Sequence, residues 1–574
     1  VALLLAAVVG VPFLGKAFTI DDTFVLTVSR QIIRNPLQPY DGTINWGRGV
    51  NPIFERTKNP PLLSYYLAPL IALLGTSEYV LHAAMLVFLA MLAIGAGMLG
   101  RWFWVDEWWP MAFVMASPAV VVSSNVMRDV PAAGLLTLGL ALFVLGTDED
   151  RRGMQASGAL LVGLATLTKY SAAAMVPLLV LYPLLRRKWR SVLWALVPVG
   201  LLGLWSAHNW WAHGQPHILL LLQQRSTAAQ GFGRPVPEKL IAGLTIAGAS
   251  LFLLPALVVA WVRKWTLLLL PLLAIAGAAA WLGVNAWFGG EPLTERPDLL
   301  ILADGGAIAG RRVKRSGDQV LLRIRDDRTI RLPRKRVKEV SPQRDYAVRD
   351  DGHKFQGRVV ADTPEAVVVK MSGWRKIRRP AGQVARVEKL SWQYYLWATT
   401  GAALLAAALV GGLVAAARAA KAREVAWAEW LFLAAWAGGG VAFSVLFTPF
   451  QATRHILPVL APLAVLTLGL MGQRRKPVKV ALWAMLAVQA AIAFTVAFAD
   501  AEFADAHRDY ARDARRKFQS EDIWFNGHWG WQHYCEDVQG YRHAWWFGVE
   551  GELPPAGAIL LETDKVHHPR LPAD

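Results

Sequence analysis

Long apolar runs, each broken by a short polar or basic stretch, dominate the pattern of this chain. A helix that crosses the hydrocarbon of a bilayer needs roughly 20 mostly apolar residues. Such runs fall at 1–18, 79–100, 109–127, 130–146, 156–169, 171–185, 191–211, 239–262, 265–288, 393–416, 426–447, 455–471 and 478–498. They predict about 13 transmembrane helices, with 156–169 and 171–185 short for full crossings. The first run has no basic start and no small-residue cleavage site before Asp21, so it reads as an anchor rather than a removable leader.

One apolar stretch, 60–75 (PPLLSYYLAPLIALLG), reads either as a span or as a helix lying at the interface. Lys and Arg collect in cytoplasmic loops. If 60–75 does not cross, the connections holding Arg101, Arg151 and Arg152, Arg186–Arg190, Arg263 and Lys264, Arg418–Arg423 and Arg474–Lys479 all fall on one side. The expected topology therefore has a cytoplasmic N-terminus and 60–75 on the outer surface. Outside then lie 19–78, the 128–130 and Thr168–Ser171 turns, 212–238, 289–392, 448–454 and the tail from about 499.

Composition supports this reading. The 574 residues are 55% hydrophobic and 18% charged, against about a quarter charged in soluble proteins. Soluble globular and disordered classes are excluded. A disulfide framework is excluded as well, because Cys535 is the only cysteine. A formal charge of +18 raises nucleic acid as a partner, but basic cytoplasmic loops account for much of it, and no nucleic acid is expected.

The pattern divides the chain into a membrane core at 1–290, an insert at 291–390, further spans at 391–498 and a C-terminal domain at 499–574. The insert switches to strand-like alternation. It carries a repeat: 304–340 aligns without gaps to 351–387, with Gly310/Gly357, Arg311/Arg358, Ile330/Ile377 and Pro333/Pro380 among the matches. Each copy predicts a small barrel resembling SH3 or Sm-like folds. The insert holds 24 basic and 14 acidic residues. It reads as a patch for anionic glycan or lipid, or simply as a solvated basic surface. The tail predicts a helix at Glu502–Phe518, an aromatic segment and a strand at 558–562, as in a small α/β or α+β domain. His528, His533, His543, His567 and His568 match no strong zinc spacing. Trp524, Phe525, Trp529, Trp531, Trp545 and Trp546 suit either stacking on sugar faces or packing.

Ionisable groups at membrane depth are costly and point to function by default. The expected outer rim holds Asp21, Asp22, Lys58, Arg128, Asp129, Lys169 and Arg454. Each has an ordinary explanation as a helix cap or an interfacial anchor. Their convergence on one face from distant segments is the stronger signal. Carboxylates beside Lys and Arg suit activation of a hydroxyl while a phosphate leaves.

The order of these motifs resembles the GT-C superfamily of polytopic glycosyltransferases, in the branch of protein O-mannosyltransferases and the lipid A aminoarabinose transferase. Asp21-Asp22 matches the acidic pair that opens the first outer loop. TKNPPLLSYYLAPLIALLG matches a Lys/His-Pro-Pro-Leu segment, Asp129 a later outer Asp, Leu167-Thr168-Lys169 a Leu-Thr-Lys turn, and Arg454-His455-Ile456-Leu457-Pro458 an Arg-Tyr-x-Leu-Pro segment. Asn59 and His455 depart from that pattern, and the repeated insert lies outside it. The likeness covers 1–225 and, more loosely, 391–498.

The resemblance implies a mainly α, polytopic membrane protein of the GT-C type in the plasma (inner) membrane. The donor would be a polyprenyl-phosphate sugar, and the acceptor an extracytoplasmic glycolipid, protein or envelope glycan. Asp21 would be the general base, with Asp22 and Asp129 orienting the acceptor or a neighbouring cation. Lys169 and Arg454, with Lys58, would hold the lipid phosphate. Some relatives use a divalent metal ion and others none, and the sequence leaves both open. Two other readings stand beside this one, a flippase of lipid-linked sugars and an envelope assembly protein working through the basic insert. Charges at one rim, with no repeat among the spans, favour surface chemistry over transport.

Overall fold

The computed structural model describes residues 1–46, 50–228, 236–261, 392–471, 475–518, 522–547 and 550–562, together with the strands between 298 and 389. Seven of the described helices are long and apolar enough to cross a membrane. A bent pair, Lys239–Ser250 and Leu254–Ala260, kinks by 70° and could make an eighth crossing. The chain is thus built to pass through a bilayer several times.

It opens with α1 (Ala2–Gly10), a 3₁₀ turn, and the amphipathic α2 (Asp22–Arg34). A ribbon of β1 (Thr43–Asn45) and β2 (Val50–Pro52) follows, then α3 (Ile53–Arg56) and α4 (Leu62–Leu74). α4 is the ambiguous 60–75 stretch. At 13 residues it is about 20 Å long, short of a hydrocarbon core of about 30 Å. It packs along α2, with Ser64 Oγ donating to the Val25 carbonyl at 3.2 Å.

The bundle continues through α5 (Glu78–Trp102), α6 (Trp108–Met115), α7 (Pro118–Val122), α8 (Asp129–Asp148) and α9 (Arg152–Thr168). After them come α10 (Leu178–Leu185), α11 (Leu196–His213), α12 (His217–Ala228), α13 (Val236–Ser250) and α14 (Leu254–Trp261). Two predicted spans are interrupted. The run at 109–127 breaks into α6 and α7 at Ser117, whose hydroxyl caps the Ala119 N–H, with Pro118 starting the new helix. The run at 239–262 is the bent pair. The predicted span at 265–288 lies outside the described residues.

α8 is buried along nearly its whole length, which is why its sequence lacks a polar face. It packs antiparallel on α9 through Gly139 and Gly158. A Cβ on Gly158 would stand 2.6 Å from the Gly139 carbonyl oxygen, so only glycine lets the two backbones come this close. The hairpin returns the end of α9 to the start of α8. The remaining helices are α15 (Trp392–Lys421), α16 (Ala426–Phe447), α17 (Leu457–Met471) and α18 (Lys476–Lys517).

The strands between 298 and 389 depart from two self-contained barrels. In chain order they are β3 (Asp298–Leu302), β4 (Ala307–Ser316), β5 (Gln319–Asp326), β6 (Thr329–Pro333), β7 (Val337–Ser341), β8 (Tyr346–Arg349), β9 (Lys354–Gln356), β10 (Arg358–Asp362), β11 (Ala366–Lys370), β12 (Gly373–Pro380) and β13 (Val384–Lys389). β5 pairs with β12 of the other copy, and β11 with β6. The register repeats: Gln319 faces Pro380, and Ala366 faces Pro333, the same pair shifted by one copy. β13 returns to β3. Each copy thus lends a strand to an edge of the other copy's sheet.

The tail also differs from expectation. The predicted helix at Glu502–Phe518 is the far half of α18, a single helix of 42 residues. At about 63 Å it is twice the hydrocarbon thickness, so its polar half stands outside the apolar layer. Beyond it, β14 (Ile523–Phe525) pairs in parallel with β15 (Arg542–His543) and β18 (Ile559–Leu561). β16 (Trp545–Phe547) and β17 (Glu550–Glu552) form a separate antiparallel pair.

Candidate active site

Four of the predicted site residues meet at one end of the bundle. Asp129 opens α8, and Lys169 follows α9, where its extended backbone ends that helix. Lys169 Nζ donates to Asp129 Oδ1 at 2.6 Å. Arg454 sits in the 3₁₀ turn Thr453–Ile456 ahead of α17. Its Nε lies 3.8 Å from Asp129 Oδ1, and its Nη2 lies 3.8 Å from Asp21 Oδ2. Arg454 therefore links the carboxylate at the head of α8 to the one at the head of α2.

The carboxylates differ in access. The Asp129 side chain is 7% exposed and the Asp21 side chain 43%. Partial burial pushes the Asp21 carboxyl above its usual range, against the pull of Arg454. Asp22 is fully buried. Its Oδ2 accepts the Thr19 N–H at 2.8 Å, closing the turn that leads into α2. Burial pushes its pKa up to about 7. Successive helix positions diverge by about 100°, so of two adjacent aspartates one turns outward and one inward.

Lys58 is exposed in the loop after α3, and its charge acts on His217. Tyr40 donates to the carbonyl of Asn59, the next residue, at 2.6 Å. What holds this loop was not foreseen. His217 faces the Thr57 carbonyl through Nε2 (3.2 Å) and the Tyr170 hydroxyl through Nδ1 (3.0 Å). Trp205 Nε1 donates to the same hydroxyl at 2.9 Å. Burial lowers the His217 pKa to about 4, so the ring stays neutral and hydrogen-bonding. A cluster of His, Tyr and Trp across 170–217 was the available signal.

A second unforeseen feature is the grip of the tail on the segment before Asp21. The Phe18 N–H donates to the Tyr534 hydroxyl at 2.8 Å, which donates to Glu78 at 2.9 Å. Thr23 Oγ1 donates to the Trp529 carbonyl at 2.7 Å. Asp505 accepts from the Ala17 N–H, and Arg508 donates to the Gly15 carbonyl. Lys16 donates to Asn125 and pairs with Asp500. Gly530 is pressed so near the Phe18 carbonyl that a Cβ would stand 1.8 Å from its oxygen. The aromatic tail residues mostly pack: Trp531 and Phe525 are buried.

His543 Nδ1 lies 3.0 Å from Asn45 Nδ2, and its ring packs across His528. Burial lowers its pKa to about 3. Among the described residues no group of three His, Cys, Asp or Glu side chains is placed to hold a metal ion. His567 and His568 lie outside the described residues. Next to Arg454, a shallow cleft between α13, α16 and the 3₁₀ turn is lined by Ile246, Val441, Val445, Ile456 and Val459, with Gln451 and His455 as polar groups.

No protein-family model matches the chain, and no curated protein does. Solved structures similar to it include the Archaeoglobus fulgidus oligosaccharyltransferase tethered to an acceptor peptide (TM-score 0.44, 12% identity, 94% of this chain and 63% of that one). ArnT from Cupriavidus metallidurans bound to undecaprenyl phosphate is another (0.36, 13%, 93% and 83%). A third is the S. cerevisiae protein O-mannosyltransferase complex bound to the sugar donor (0.36, 10%, 86% and 88%). The chain thus spans less than two thirds of the archaeal enzyme. All three are members of the GT-C superfamily that the order of sequence motifs resembles. At these scores the likeness assigns no role to any residue of this chain.

Proposed function

We propose that the chain is a membrane glycosyltransferase that moves a sugar from a polyprenyl-phosphate donor to an extracytoplasmic acceptor. The observation that carries this reading is Arg454, within 3.8 Å of an exposed carboxylate and a buried one. A base and a phosphate-binding cation are needed side by side for this displacement, and here they come from helices far apart in sequence.

Asp21 accepts the proton of the acceptor hydroxyl or amine as that atom attacks the anomeric carbon. The new bond forms as the bond from carbon to phosphate oxygen breaks, and its electron pair leaves with the polyprenyl phosphate. Arg454 and Lys169 stabilise that charge, with Lys58 at the edge of the site. A one-step displacement inverts the anomeric carbon. Asp129 holds Lys169 and Arg454 in place. Asp22, buried against Thr19, serves the loop that carries Asp21 and does not meet the acceptor. The apolar cleft beside His455 suits an isoprenoid tail.

Transfer from labelled polyprenyl-phosphate sugars in proteoliposomes tests this. Asp21→Asn should lose at least a hundredfold in rate. Normal transfer by that variant would remove Asp21 as the base. Movement of the lipid-linked sugar across the bilayer without covalent transfer would replace the reading with a flippase.

A further inference from the structure

Arg128 is the residue immediately before α8, and it is 7% exposed. Its Nε and Nη2 are buried without a hydrogen-bond partner among the described residues, and no other described arginine is in that state. These two nitrogens share one edge of the guanidinium. Nη2 is the terminal nitrogen trans to Cδ, so its N–H runs parallel to the one on Nε. That edge is the fork that meets two oxygens of a phosphate or carboxylate at once. Burying such an edge without an acceptor is costly, and native structures rarely leave it so.

The neighbours do not satisfy it. The ionisable groups whose fields act on Arg128 are Tyr40, Asp21 and Asp129. The Tyr40 hydroxyl is committed to the Asn59 carbonyl. Asp129 is engaged by Lys169 and flanked by Arg454. Those two cations have carboxylates beside them, whereas the Arg128 fork has none bonded to it. We propose that Arg128 docks a two-oxygen anion of a substrate, phosphate or carboxylate, through Nε and Nη2 beside Asp21. The anion belongs either to the lipid donor or to an acidic acceptor. The inference rests on the proposed function only in taking Asp21 as the reacting centre, and binding is measured apart from transfer.

The test uses the full chain in nanodiscs, with inorganic phosphate, acetate and undecaprenyl phosphate as separate probes. Arg128→Lys keeps the charge and removes the fork. Arg152→Gln, exposed at the other end of the α8–α9 hairpin, is the control. Arg128→Lys should weaken binding of at least one probe tenfold or more, with Arg152→Gln unchanged. Loss for undecaprenyl phosphate places the anion on the donor. Loss for inorganic phosphate or acetate alone places it on the acceptor. Equal binding by wild type and Arg128→Lys, or no binding of any probe to wild type, overturns the proposal. If the variant fails to fold, a structure of wild type with the probes decides. Oxygens about 3 Å from Nε and Nη2 support it, and an anion bound elsewhere overturns it. Wild type that binds a probe through this fork yet transfers no sugar would count against the proposed chemistry and leave this site standing.

Discussion

Lys169 Nζ lies 2.6 Å from Asp129 Oδ1, and this contact ties the end of α9 to the start of α8 at the end of the bundle where Asp21 and Arg454 also meet. Their side chains are 19% and 7% exposed. Removing one partner of such a pair leaves a charge without compensation, at a cost of about 3–5 kcal/mol when the pair is fully buried. Lys169→Met should lower the apparent melting temperature and reduce transfer at least a hundredfold. The double variant Asp129→Asn/Lys169→Met should recover part of the stability but none of the activity. Additive losses in the melting temperatures would show that the two side chains do not depend on one another.

Gly530 supports the same site from the tail. A Cβ there would meet the backbone at Phe18, which cannot swing aside as a side-chain tip could. Gly530→Ala should loosen the tail from the segment before Asp21. Faster proteolysis between 518 and 530 and a transfer rate at least tenfold lower are expected. Gly200→Ala in α11, where nothing lies within 4 Å of the added carbon, should change neither.

Much of this site was legible because helix ends are legible. Asp129 and Lys169 bracket two consecutive apolar runs, and an antiparallel hairpin returns the second to the start of the first. Arg454 joined them by counting crossings. The tail's grip was hidden, because it depends on the Phe18 N–H and the Trp529 carbonyl, backbone groups that no sequence pattern marks. The strand exchange in the insert was hidden for another reason. The repeat shows that β5 and β11 are equivalent, but pairing within or between copies gives the same sequence. Asp22 was taken with Asp21 as one acidic pair, and the local helix geometry buries one and exposes the other.

The buried Asp22 carboxyl predicts a pH dependence. Its pKa rises from an ordinary 3.8 to about 7 on folding because burial disfavours the charged form. Between these values the folded chain holds a proton that the unfolded chain has released. This group's contribution to stability therefore declines as pH rises from about 4 to about 7, and is level above that. Asp22→Asn cannot ionise, and its amide oxygen can still accept from Thr19. The difference in melting temperature, variant minus wild type, should grow across that window. A constant difference from pH 4 to pH 8 would mean that Asp22 is already ionised in the folded protein at acidic pH.

The other end of α8 offers a contrast. Asp148 accepts from Trp102 Nε1 at 2.9 Å, Tyr182 at 2.6 Å and Arg186 Nε at 2.8 Å, so one carboxylate joins the ends of three helices. Asp148→Asn replaces one acceptor oxygen with an amide that only donates, facing groups that also donate. About 2 kcal/mol or more of stability should be lost, since charged hydrogen bonds go and buried donors are stranded. α8 lies between this network and Asp129, so the transfer proposed at its head should survive. Folded Asp148→Asn should keep kcat and the donor KM within about twofold of wild type, while its apparent melting temperature falls. Asp129→Asn should instead lose activity as well as stability, because it strips the carboxylate from both Lys169 and Arg454. A selective fall in kcat for well-folded Asp148→Asn would show instead that the two ends of α8 are coupled.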